Sequence, residues 1–377
     1  MRPNPFLDLT SVEPMARHRA HLLRTSSRRH ALLALLGLAT SGVSRAQSQD
    51  AVGRVPAGPW KSAFADVNGI RLHYVEQGSG PLVLLLHGFP ELWYSWRHQI
   101  PALAQAGYRV VAPDLRGYGQ TGGSKDAADY TIKTLAADVV GLLDALGEKQ
   151  CVLVGHDFGA VLTWNTVLLA PDRVRAVVAL SVPYNPRRDI APLAGIRRAV
   201  GGNFNYIVYF QEAGVAEAEL EPDVASFLKA FYFHASADAA PARQRLAPKS
   251  SRAKLLETLV PPGDLQRWLS DKDLQYYTDN FTRTGLTGPL NWYRNLDRNW
   301  ELMKPFEGAK ITHPTLFVAG ELDPVLAATR ANVDALGNTV PGLRKSTLIP
   351  RCGHWVQQEC AAELNAELLA FLAQQVR

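Results

Sequence analysis

Apolar residues along the chain switch repeatedly between two spacings. Short continuous or alternating runs mark strands, and stripes at intervals of three and four mark helices. The runs at 63–67 and 71–75 flank Asn68-Gly69 and predict a β-hairpin. Residues 82–86 are all apolar, as expected of a strand covered on both faces. A helix is predicted over 96–105, ended by Gly107, and then a strand over 109–112. Leu135, Val139, Leu142 and Leu146 form one stripe of a helix over 131–146, with Gly147 past its end. A strand at 151–154, a helix at 158–169 stopped before Pro171, and a strand at 174–180 follow. Strand-like sequence returns only at 315–318 and 345–349, before a terminal helix over 361–374.

Such alternation predicts an α/β fold: a mostly parallel central sheet with helices on both faces. The lapse between its two halves is rich in aromatic and charged residues and reads as an inserted helical cap. The expected organisation is a leader over 1–46, core over 47–183, cap over 184–298, and core again over 299–377. The core opens on a Pro/Gly-punctuated linker, 47–60.

Composition changes this picture little. With 47% hydrophobic and 20% charged residues among 377, the chain is an ordinary globular protein. The formal charge of +5 belongs to the first 46 residues, which hold seven Arg and two acids. The remainder is neutral, so no nucleic-acid partner is implied. Within the leader, Ser27-Arg28-Arg29-His30-Ala31-Leu32-Leu33 resembles a twin-arginine signal, although Ala31 stands where that motif prefers Phe. An apolar run to Gly42 and the small-x-small site Ser44-Arg45-Ala46 follow. The run is about half a membrane span, so the leader predicts export to the periplasm or beyond, with no integral membrane association after cleavage. The three cysteines, Cys151, Cys352 and Cys360, are too few and too odd for a disulfide framework. Packing is the favoured role, with a Cys352–Cys360 pair left open. No C-x-x-C or H-E-x-x-H spacing points to a metal, and no cofactor is implied.

The chemistry is concentrated in Val154-Gly155-His156-Asp157-Phe158-Gly159, at a predicted strand-to-helix turn. This is the nucleophile elbow G-x-S-x-G with Asp in place of Ser. A serine attacking saturated carbon would give an ether that water does not cleave. A carboxylate gives an ester, and turnover is possible. Asp157 therefore predicts substitution at tetrahedral carbon: epoxide opening or halide displacement. The chain order nucleophile, acid, base then nominates Asp323 and His354, each just after a strand of the second half. Glu321 is an alternative acid. His87-Gly88-Phe89-Pro90, after the strand 82–86, suggests an oxyanion hole from the backbone N–H groups of Phe89 and Phe158.

These residues resemble the α/β-hydrolase-fold epoxide hydrolases of the soluble type, from about Phe64 to Leu372. His87 to Glu91, Asp114-Leu115-Arg116-Gly117-Tyr118-Gly119 and Gly155-His156-Asp157 are generic to that fold. The cap segments Tyr206 to Glu219 and Gly288 to Asn295 are more specific. The resemblance implies that Tyr206 and Tyr293 assist ring opening, with Tyr209 an alternative one helical turn from Tyr206. It puts His87, Pro90 and Trp292 at the substrate pocket. It further implies hydrolysis of a small hydrophobic epoxide to a vicinal diol, through an ester on Asp157, by a monomer or homodimer. The cap aromatics Phe204, Tyr209, Phe231, Trp268 and Tyr276 suit an apolar substrate or the cap's own core equally. Haloalkane and haloacid dehalogenases share the Asp elbow, but follow the nucleophile with Trp or Arg where this chain has Phe158. A non-catalytic binding protein on a retired core would be expected to lack a member of the catalytic set.

Overall fold

The computed structural model describes residues 55–263 and 266–375. The leader predicted over 1–46, with its cleavage site, lies outside them. The hairpin forms as expected. β1 (Lys61–Val67) and β2 (Ile70–Gln77) pair antiparallel across Asn68 and Gly69, both at positive φ. β3 (Leu82–Leu86), β4 (Arg109–Pro113), β5 (Cys151–His156), β6 (Val174–Leu180), β7 (Thr315–Gly320) and β8 (Leu343–Ile349) complete one sheet. Its order is β1-β2-β4-β3-β5-β6-β7-β8, antiparallel at β1/β2 and β2/β4 and parallel elsewhere.

Every residue of β3 and β5 is buried, which is why these strands read as unbroken apolar runs. Each buried Leu or Val there contributes about 1.5–3 kcal/mol relative to exposure. From β3 the chain turns to β4 on one side, then crosses back to β5 on the other. That reversal opens a crevice at the carboxyl ends of β3 and β5. The helix Phe158–Leu169 approaches the sheet there so closely that glycine is required. A Cβ on Gly159 would lie 2.0 Å from the Leu86 carbonyl oxygen, and one on Gly155 2.1 Å from that of Gly159.

Helices fill the sequence between β6 and β7, among them Pro192–Val200, Tyr206–Tyr209, Val224–Ala235, Asp271–Thr284 and Thr287–Arg294. Short as it is, Tyr206–Tyr209 is capped: the Asn205 side chain accepts from the N–H groups of Ile207 (3.0 Å) and Val208 (3.3 Å). Two differences from the periodicity stand out. The helix expected over 96–105 is a 3-10 turn at Trp93–Trp96 followed by a helix at Gln99–Gln105. A helix at Pro324–Asp334 has no apolar stripe to announce it, since Leu326 is its one buried residue.

Candidate active site

The turn after β5 holds Asp157 at φ 52° and ψ −118°, a conformation costly for a residue with a side chain. The strain lifts its carboxylate into the crevice. There Asp157 Oδ1 accepts from the Phe89 N–H at 3.0 Å, and Oδ2 lies 3.7 Å from His354 Nε2. His354 Nδ1 sits 3.1 Å from both carboxylate oxygens of Asp323. The three predicted side chains thus meet, although 197 residues separate the first from the last in sequence. Asp323 has two tasks. It orients the imidazole, and its Oδ1 accepts from the Val325 N–H at 2.7 Å, capping the helix Pro324–Asp334. Glu321, the alternative orienter, is exposed, whereas Asp323 is buried.

Burial alone would lower the proton affinity of His354. The carboxylates of Asp323 and Asp157 outweigh it and lift the imidazole to about 9 from its ordinary 6.5. The folded protein holds this proton more tightly than the unfolded chain does. The interaction therefore stabilises fully below about pH 6.5 and is lost as pH rises through about 9. Its size is on the order of 3 kcal/mol. Thermal midpoints recorded between pH 6 and 10 should fall across that window, and the fall should shrink in His354→Gln. Parallel profiles for the two proteins would contradict the coupling.

Above the carboxylate lie the two predicted phenols. The Tyr206 and Tyr293 rings are 5.9 Å apart, and Tyr293 stands edge-on to Phe158 (4.6 Å) and Phe89 (5.3 Å). Burial, then the charge of Asp157, pushes the Tyr206 phenol well up; burial, then Tyr206 and Asp157, does so for Tyr293. Neither hydroxyl has a hydrogen-bond partner among the described residues. Tyr209 differs: its hydroxyl donates to Glu219, which also accepts the N–H groups of Leu255 and Leu256. That engagement separates Tyr206 from its neighbour.

Three further predicted residues have structural partners. His87 accepts the Leu115 N–H at Nε2 (3.0 Å), so its Nδ1 donates to the Gly88 carbonyl (2.9 Å). It is wholly buried, and neither ring nitrogen is left for a substrate. Trp292 is buried against Phe158 and donates to the Arg116 carbonyl. The Pro90 carbonyl accepts from the Tyr232 hydroxyl. All three cysteines are free thiols. Among the described residues no three His, Cys, Asp or Glu side chains are grouped as a metal ion requires.

Several supporting residues were not apparent from sequence. Buried Glu91 bonds His156 Nδ1 (2.7 Å), and the side-chain amides of Gln357 (2.7 Å) and Gln358 (3.1 Å). His156 in turn contacts the His354 carbonyl at 2.8 Å. Glu359 accepts three backbone N–H groups, from Gly353 (3.1 Å), Trp355 (3.0 Å) and Ala237 (2.9 Å). Loss of solvent raises its carboxyl to about 7. The His354 N–H donates to the Ala235 carbonyl at 3.0 Å. Arg243 ties the Ser236 and Leu322 carbonyls together. Gln211 joins the two tyrosine helices, donating to the carbonyls of Ile207 (2.7 Å) and Tyr293 (3.1 Å).

An Asp elbow at the switch point of such a sheet, with an acid–imidazole pair from later strands, defines a hydrolase of the α/β class. The alpha/beta hydrolase fold family model matches residues 81–359. Epoxide hydrolase A of Mycobacterium tuberculosis is 49% identical over 313 residues, which are 82% of this chain and 96% of that one. Bifunctional epoxide hydrolase 2 of Sus scrofa is 42% identical over 82% of this chain, which spans about half (54%) of that longer protein. The solved structure of an epoxide hydrolase from an endophytic Streptomyces has a TM-score of 0.81 at 43% identity, covering 84% of this chain and 96% of that one. The chain belongs to the epoxide hydrolase family of the α/β-hydrolase fold.

Proposed function

We propose that the protein hydrolyses an apolar epoxide to a vicinal diol in two covalent steps. The observation that carries this reading is an elbow carboxylate beneath two phenols with no other partner. Asp157 attacks an epoxide carbon from the face opposite the oxygen, and Tyr206 and Tyr293 donate to that oxygen as its charge grows. Their raised proton affinity keeps both phenols protonated at neutral pH, so each can donate as alkoxide character grows. An ester on Asp157 and a free hydroxyl result.

Forming the ester removes a negative charge 3.7 Å from His354. The imidazole then loses one of the carboxylates that hold its proton, gives that proton up by way of solvent to the phenolate left by ring opening, and can accept another from water. That water attacks the ester carbonyl, the N–H groups of Phe89 and Phe158 hold the oxyanion, and collapse frees the diol. Hydrolysis thus switches on only after alkylation. Incubation with styrene oxide in heavy-oxygen water tests the reaction: diol should form, and label should enter the Asp157 side chain over repeated turnovers. Halide release from chloroalkanes without diol formation would favour the dehalogenase instead. Phe158, whose side chain has no N–H for a halide, argues against that outcome.

Tyr206→Phe and Tyr293→Phe should each slow ring opening by about ten- to a hundredfold, and the double variant more than either. Tyr209→Phe should leave it near wild type. Pre-steady-state rates of substrate loss measure this, and a large effect at Tyr209 alone would reverse the assignment. We further propose export through the twin-arginine-like leader. Intact-mass analysis of the exported protein should find an N-terminus at Gln47; retention of residues 1–46 in the cytosol would exclude it.

A further inference from the structure

Neutrality of residues 47–377 conceals an uneven surface. Removing the seven arginines and two acids of residues 1–46 leaves 33 basic and 33 acidic side chains. Segments 188–198 and 245–254 nevertheless carry seven basic residues against one acid, Asp189. All seven are exposed. Arg197 and Arg198 lie in the last turn of the helix Pro192–Val200, and Lys249, Arg252 and Lys254 on the other segment. Backbone pairing joins the two: Phe204 N–H donates to the Lys249 carbonyl (2.7 Å) and Ser251 N–H to that of Gly202 (3.0 Å). Among the described residues none of the seven forms an ion pair. Asp189 is exposed within the first segment, and two further acids lie close by. Asp297 accepts the Leu193 N–H at the helix's other end, and Glu257 lies beyond the second segment.

The same region exposes apolar side chains. Of five large hydrophobic side chains exposed among the described residues, Ile190 (53%), Leu246 (39%) and Leu256 (39%) fall within or beside these segments. Ile190 lies over Gly195 of the helix, 3.9 Å from where a Cβ would stand. Interleaved cations and aliphatic side chains suit an anionic bilayer: the charges meet the headgroups and the aliphatic groups enter the boundary below. A nucleic-acid surface would present aromatic rings for stacking, and the exposed members here are aliphatic.

We propose that this cap face docks peripherally on an anionic lipid surface. Among the described residues no helix is long and apolar enough to cross a membrane, so the association is interfacial. The paired strip runs directly into Asn205 and the helix bearing Tyr206. Docking therefore brings the edge of the site to the phase in which an apolar epoxide dissolves. This last consequence rests on the function proposed above; the docking does not.

The full chain is mixed with vesicles of phosphatidylcholine alone or with one quarter phosphatidylglycerol. Binding should need the anionic lipid and disappear in half-molar salt. R197Q/R198Q/K249Q/R252Q, with the leader unchanged, should weaken partitioning at least tenfold while hydrolysing a water-soluble epoxide at the wild-type rate. An environment-sensitive dye on L246C should shift to the blue with the anionic vesicles only. Equal partitioning of wild type and variant with no dye shift would overturn the proposal. So would binding to duplex DNA without binding to vesicles. Absence of hydrolysis in both proteins, with vesicle binding intact, would overturn the proposed function and leave the docking standing.

Discussion

Replacing Asp157 by asparagine is expected to lower epoxide turnover by about ten-thousand-fold or more, with no covalent adduct in the intact-mass spectrum. The amide keeps the size of the side chain and tolerates the positive φ. It loses the negative charge that the proposed mechanism sets against carbon. The backbone strain is unchanged, and loss of the carboxylate beside the His354 imidazolium should lower the thermal midpoint modestly at neutral pH and below. Activity within a few-fold of wild type, or prompt adduct formation in the variant, would move the nucleophile elsewhere. A variant that failed to fold would be recognised by its thermal transition and replaced by Asp157→Ala.

His354→Gln should separate the two half-reactions. In the proposed mechanism ring opening depends on Asp157 and the phenols, so one equivalent of substrate should still react. Release needs a base, so steady-state turnover should fall by about a thousandfold. The protein should gain the mass of one substrate molecule and keep it. Peptide mapping should find that mass on residue 157. If the adduct never accumulates and turnover falls anyway, His354 acts before or during ring opening. Asp323→Asn should give the same adduct with a smaller loss, since a neutral amide still caps the helix at Val325 but no longer supports the imidazolium.

The two residues differ in how far the chain itself discloses them. Asp157 was legible because an elbow is local: strand, turn and helix lie within twenty residues, and Gly159 is fixed by a 2.0 Å approach to Leu86. Asp323 and His354 followed from chain order, since parallel strands deliver their following loops to one edge. Tyr206 against Tyr209 was undecided by spacing, because both lie on one short helix. Glu219, ten residues away, distinguishes them by engaging Tyr209. The supporting carboxylates were out of reach. Glu91 meets His156 across 65 residues, and Glu359 meets Ala237 across 122. Nothing in either neighbourhood marks a residue whose partners lie on another element. His87 is a different case: its motif suggests the pocket, and its two ring nitrogens engage backbone groups.

The bonds from His354 and Glu359 to Ala235 and Ala237 have a practical corollary. The end of the cap helix Val224–Ala235 also holds the loop that carries the imidazole, through its own peptide groups. Lifting this part of the cap as a rigid lid would drag that loop with it. Entry and exit must therefore be accommodated elsewhere on the rim. For anyone grafting a foreign lid to change selectivity, positions 234–237 and Arg243 are the joint to preserve, and the new sequence should begin beyond it.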